Sequence, residues 1–85
     1  MDDYHVLFAR SARKELEALA DSVVSRVLRR VKALANDPRP PGCKKLAVSE
    51  NLWRIRVGDY RVIYTIDDDA KLVDVVVVRH RSDAY

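Results

Sequence analysis

Residues 52–66, L-W-R-I-R-V-G-D-Y-R-V-I-Y-T-I, constrain this chain more than any other stretch. Apolar residues alternate with others on both sides of Gly58-Asp59, a dipeptide that suits a two-residue hairpin loop. With that loop, Val57 pairs with Tyr60, Ile55 with Val62 and Trp53 with Tyr64, so six side chains form one apolar face. The opposite face then sets Arg56 directly across from Arg61, with Arg54 two residues along the same strand. Like charges facing each other across a ladder destabilise a sheet. A bound polyanion would offset that repulsion, and this makes the hairpin a candidate anion-binding face.

The rest of the chain supplies layers for the hairpin to pack against. Residues 4–8 read as a short strand with Tyr4, Val6 and Phe8 on one face. Ser11 is a candidate N-cap for a helix carrying Ala12, Leu16, Leu19 and Ala20 at helical spacing. Asp21-Ser22 reads as a second cap, opening a longer helix with Val24, Val27, Leu28, Val31 and Ala35 on one stripe. Asn36-Asp37-Pro38 ends it, because the residue before proline is pushed out of the α region. Arg26, Arg29 and Arg30 fall on its outer side, as a solvated face or as contacts to RNA phosphates. A stiff D-P-R-P-P-G connection leads to Lys44, Lys45 and the anchor Leu46. Asp67-Asp68-Asp69-Ala70 follows the hairpin as a solvated acidic turn, lacking the glycine and distal glutamate of an EF-hand loop. Residues 71–78 form the last strand, with Val73, Val75 and Val77 expected on the apolar face and Val76 opposite Arg61.

At 85 residues there is room for one domain, spanning 1–85. With 48% hydrophobic and 34% charged residues the chain reads as globular, not disordered. Sixteen Lys/Arg against thirteen Asp/Glu leave a net charge of only +3, so the placement of charge says more than its total. A single cysteine, Cys43, excludes an internal disulfide and a multi-cysteine zinc site. No apolar run approaches ~18 residues, and the acidic start M-D-D-Y lacks a basic signal region. The expectation is a cytoplasmic protein with no membrane partner.

The last strand would deliver Arg79, His80 and Arg81 close to Arg54, Arg56 and Arg61. Guanidinium forks suit phosphate, because each offers two parallel donors and stays charged at any relevant pH. Such a cluster would favour a phosphorane, which carries more negative charge than the diester it comes from. Tyr85 would stack on a base. The sequence shows no Gly-rich phosphate loop, metal-ligand constellation or Ser/His/Asp spacing. Cleavage of RNA needs none of these, because the ribose 2′-hydroxyl is a built-in nucleophile. Arginine is a poor general base, and His80 is the nearby residue whose ordinary pKa lies near neutrality. From the residues alone, a solvated face and a dock for an acidic partner stay open beside phosphate binding.

The succession of strand, two helices, proline-rich loop, Lys45-Leu46, L-W-R-I-R-V-G-D-Y-R-V-I-Y and V-R-H-R-S-D-A-Y resembles the RelE/ParE superfamily of bacterial toxins over essentially the whole chain. The resemblance implies an α+β domain of order β-α-α-β-β-β, an antiparallel sheet with two N-terminal helices on one face. For the RelE branch it implies a metal-independent endoribonuclease that cuts mRNA in the ribosomal A site, leaves a cyclic phosphate and is restrained by a cognate antitoxin. The ParE branch implies DNA gyrase as target, and a toxin-fold binding module with neither activity is a third possibility. On the RelE pattern, Arg54 and Arg56 take positions often held by lysine, and Arg61 stabilises the transition state. Aligned without gaps back from the last tyrosine, Arg79 matches a C-terminal arginine acting as acid or charge stabiliser, with Arg81 nearly as good a match, and Tyr85 matches the base-stacking tyrosine. The catalytic set is then Arg56, Arg61, Arg79, Arg81 and Tyr85, with Arg54, Lys44, Lys45 and His80 contacting RNA. No metal and no small-molecule cofactor are expected.

Overall fold

Gly58 takes a φ of 59°, the conformation that a glycine at the first position of a II′ hairpin loop supplies without strain. The hairpin it closes sits at the centre of a computed structural model describing residues 3–47 and 51–82. The order is β1 (His5–Phe8), α1 (Arg10–Glu17), α2 (Asp21–Ala33), β2 (Lys44–Lys45), β3 (Trp53–Val57), β4 (Tyr60–Asp67) and β5 (Leu72–His80). Five strands form one sheet in the order β1-β5-β4-β3-β2. The β3–β4 register is the one the alternation dictates: Trp53 faces Tyr64, Ile55 faces Val62, Arg56 faces Arg61 and Val57 faces Tyr60.

The α+β class and the two-helix layer are as expected, and three details of the sheet differ. First, the sheet is mixed, because β1 runs parallel to β5 while β2 to β5 are antiparallel. The two helices carry the chain back across the sheet, so β1 and β5 leave the same end. Second, Lys44 and Lys45 pair with Arg54 and Trp53 as a short fifth strand. Third, a β-bulge lies opposite Ile63/Tyr64: Tyr64 faces Val75 and Ile63 faces Val77, which leaves Val76 as the extra residue. One extra residue reverses the alternation beyond it. Val78, not Val77, therefore enters the core, and Arg79, not Val76, faces Arg61.

The core lies between the helices and one face of the sheet. Ala12, Leu16, Val27, Val31 and Leu34 meet Ile55, Val57, Val62, Tyr64, Ile66, Val73, Val75 and Val78. Tyr64 is wholly buried, and its hydroxyl donates to the Pro38 carbonyl at 2.7 Å, which ties the proline-rich loop to the sheet. Burial raises the pKa of this phenol well above its ordinary value, so it stays a donor. Neither helix is capped by a side chain: the N-caps are Ala9 and Ala20, not Ser11 or Asp21-Ser22. Ser11 and Glu15, one turn apart, instead face the edge of β5 that β1 is too short to cover. Glu15 Oε1 accepts the Val78 backbone N–H at 3.0 Å, so α1 shields that edge. No helix among the described residues is long and apolar enough to cross a membrane.

The acidic turn after β4 is not simply solvated. The Asp68 carboxylate accepts two bonds from the Arg39 guanidinium, at 3.2 and 3.0 Å, and one from the Tyr4 hydroxyl at 2.6 Å. Arg39 also lies 4.9 Å above the Trp53 ring, so four distant segments meet at one exposed cluster. The Arg39 bonds, then the Tyr4 bond, hold the Asp68 pKa down to about 2. A carboxylate depressed on folding stabilises above its unfolded pKa and loses that contribution as pH falls through the folded value. Asp68→Asn should therefore melt lower than the wild type at neutral pH. The gap should close as pH is taken from about 4 towards 2. A gap that is absent at neutral pH, or does not narrow in acid, would contradict this role.

Candidate nucleic-acid interface

The face of the sheet turned away from the helices carries the charge. Because side chains alternate along a strand, Arg54 and Arg56 of β3 and Arg61 of β4 project together. Cross-strand pairing arranges them in two rows. Arg56, Arg61 and Arg79 form the row nearest the hairpin loop, and Lys44, Arg54, Ile63 and Val77 form the next. Ile63, at 2% exposure, is a buried apolar residue in the middle of this second row.

Arg54 is itself buried, at 8% exposure. Burial first, and then the charges of Arg56 and Arg61, push its pKa below the usual arginine value. Keeping Arg54 charged on this face is therefore costly, and an anion bound among the three guanidinium groups would lower that cost.

The two C-terminal arginines go to different places. Arg79 Nε is bonded to Glu15 Oε2 at 2.6 Å, so this side chain is drawn to the α1 edge of the sheet, although its Cα lies opposite Arg61. Arg81 follows the strand, and its backbone N–H donates to the Asp59 carbonyl at 2.7 Å. That bond brings it beside the loop, where Arg56, Gly58, Asp59, Tyr60, Arg61 and Arg81 line a hollow of about 130 Å³.

The remaining candidates divide between the faces. Lys44 shares the face of Arg54, whereas Lys45 lies 5.9 Å over the Trp53 ring on the other side. His80 is opposite Tyr60 in the ladder, and the two rings meet edge-to-face at 5.3 Å. Its Nδ1 accepts the Ser82 backbone N–H at 3.2 Å. His80 therefore belongs to the helix side of the sheet, beside Glu15 and Leu19, and not among the arginines. Tyr85 lies outside the described residues. Asp59 carries no signal in the sequence beyond that of a turn residue, yet it lines the hollow, and its backbone carbonyl holds Arg81 there. Among the described residues, no group of His, Cys, Asp or Glu is placed to hold a metal.

The family profile described as the ParE toxin of the type II toxin–antitoxin system parDE matches residues 6–85. This chain is a toxin of the RelE/ParE superfamily. Its similarities place the toxin nearer the RelE branch. It is 32% identical over 83 residues to Toxin RelE of Mycobacterium tuberculosis, covering 96% of this chain and 86% of that one. The crystal structure of the archaeal RelE–RelB complex from Pyrococcus horikoshii OT3 superposes with a TM-score of 0.83 at 29% identity, covering 99% and 100% of the two chains. The RelBE2 toxin–antitoxin complex of M. tuberculosis gives 0.81 at 30%, covering 93% and 99%. The RelE-like fold and membership of a type II toxin–antitoxin system follow.

The toxin's loop needs its glycine for the backbone conformation, and the nearby Arg26 side chain can move aside. Gly58 lies at positive φ, and a Cβ there would come within 2.5 Å of Arg26 Nη2. Gly58→Ala should destabilise the fold by about 1–2 kcal/mol from the backbone conformation alone. Urea unfolding measures this, and an unchanged midpoint would show that the loop is not held as described.

Proposed function

We propose that this toxin is a metal-independent, ribosome-dependent mRNA endoribonuclease. The observation that carries the reading is the arginine arrangement: Arg56 opposite Arg61, Arg54 buried behind them, and Arg81 brought to the same hollow by the Asp59 carbonyl. In the proposed reaction the 2′-oxygen of a ribose attacks the adjacent phosphorus. The 2′-O–P bond forms, the bond to the 5′-oxygen breaks, and a cyclic phosphate remains. Arg56 and Arg61 hold the non-bridging oxygens as their negative charge grows, and Arg54 and Lys44 add to the field. Arg81 is better placed than Arg79 to serve the departing 5′-oxygen, because Arg79 is occupied by Glu15. The 2′-proton requires an acceptor, and Asp59 is the acidic residue that lines the hollow while His80 faces the other side. Tyr85 is proposed to stack on a base of the mRNA. The solved relatives from P. horikoshii and M. tuberculosis are toxin–antitoxin complexes, and a cognate antitoxin is the proposed partner here. The site of action is then the cytoplasm, where translating ribosomes are.

A second reading, inhibition of DNA gyrase, is favoured by one observation: the matching family profile is that of ParE toxins. Ribosomes translating a defined mRNA separate the two. The expected result is a cut in the A site ending in a cyclic phosphate, lowered by about 100-fold or more in a folded Arg61→Ala protein. Intact mRNA together with inhibited supercoiling would favour gyrase. An Arg61→Ala protein that folds and stays fully toxic would remove the catalytic assignment.

A further inference from the structure

Helix α2 carries Arg26, Arg29 and Arg30 at spacings of three and four residues, all exposed on one side. The first of them is not simply pointing into solvent. The Arg26 guanidinium lies against Gly58, so close that a Cβ on that residue would meet Nη2 at 2.5 Å and Cζ at 3.3 Å. Gly58 is also part of the wall of the hollow formed with Arg56, Arg61 and Arg81. An exposed arginine ordinarily turns away from like charge. Arg26 instead reaches the loop whose residues line that hollow with three arginines, and adds positive potential beside it.

We propose that Arg26 is a phosphate-binding residue of the hairpin site, and that Arg29 and Arg30 extend the track so that RNA leaving the sheet continues along α2. The inference rests on the reading that the hairpin binds RNA. None of these arginines forms an ion pair with a described carboxylate. One helical turn separates Arg26 from Arg30, about 6 Å along the axis, a step that a flexible single strand can follow. The surface favours RNA over an acidic protein. The exposed side of α2 consists of Asp21, Ser22, Ser25, Lys32 and Ala33 around the arginines, and offers no large apolar side chain. Protein interfaces bury an apolar centre, whereas single-stranded RNA needs only charge along its backbone.

The test is binding of a short fluorescent RNA, made uncleavable by 2′-O-methyl groups, over about 50 to 200 mM salt. Each phosphate contact removed from a single strand should lower the slope of log affinity against log salt by about 0.7. Arg26→Gln with Arg30→Gln should therefore lower it by about 1.4, while Arg26→Lys with Arg30→Lys, which keeps the charge, retains most of the slope. Melting temperatures of both proteins report whether they fold. Arg61→Gln is measured in parallel. If it lowers the slope and the α2 glutamine pair does not, the helix track is wrong and the hairpin reading stands. If neither changes the slope, both fail. If the lysine pair loses as much as the glutamine pair, charge is not the cause and the proposal is overturned. It is also overturned if the glutamine pair leaves RNA binding intact but weakens binding of an acidic antitoxin peptide.

Discussion

The opposition of Arg56 and Arg61 across the β3–β4 ladder is the constraint on which the site depends. A like-charged cross-strand pair costs on the order of 0.2–1 kcal/mol, more where burial weakens solvent screening, as at neighbouring Arg54. The register survives because the other side of the same two strands outweighs it. Ile55, Val57, Val62 and Tyr64 are all buried there, and complete burial of one aliphatic side chain is worth about 1.5–3 kcal/mol. Sliding the register by one residue would expose that whole set. The core thus fixes a charge arrangement that the arginines themselves would not choose.

The β-bulge at Val76 governs what else reaches the site. Without the extra residue, Arg79 would fall on the helix side and Val78 on the charged side. With it, Arg79 comes opposite Arg61, where Glu15 draws its guanidinium to the strand edge and neutralises it. The same shift sets Arg81, and not His80, level with Asp59, whose carbonyl accepts its backbone N–H. A single irregularity in β5 therefore sorts the C-terminal charges into one arginine paired with Glu15 and one at the hollow.

How much of this was legible in sequence depended on whether the signal was local. The hairpin was legible, since strict alternation and a Gly-Asp loop fix both register and facing. The bulge was not, because four consecutive valines, Val75 to Val78, have no alternation to disturb. Nor was the parallel pairing of β1 with β5, which depends on where two helices return the chain. The Arg39–Asp68 pair and the approach of Arg26 to Gly58 join residues about thirty positions apart, so neither had a local signature. The candidate set itself was found from charge pattern and family resemblance. The fold separates it, keeping Arg54, Arg56, Arg61, Arg81 and Lys44 on one side or at the loop and turning His80 and Lys45 to the other.

The central claim is that the opposed arginines are kept for an anion and not for stability. Thermal unfolding of the wild type and of Arg56→Gln, each with and without an uncleavable RNA, tests it most directly. Without RNA the variant should unfold at the same temperature as the wild type or higher, because a repulsion has been removed. RNA should raise the wild-type midpoint clearly and the variant's much less. A variant that unfolds at a lower temperature without RNA, and is stabilised by RNA as much as the wild type, would contradict the account.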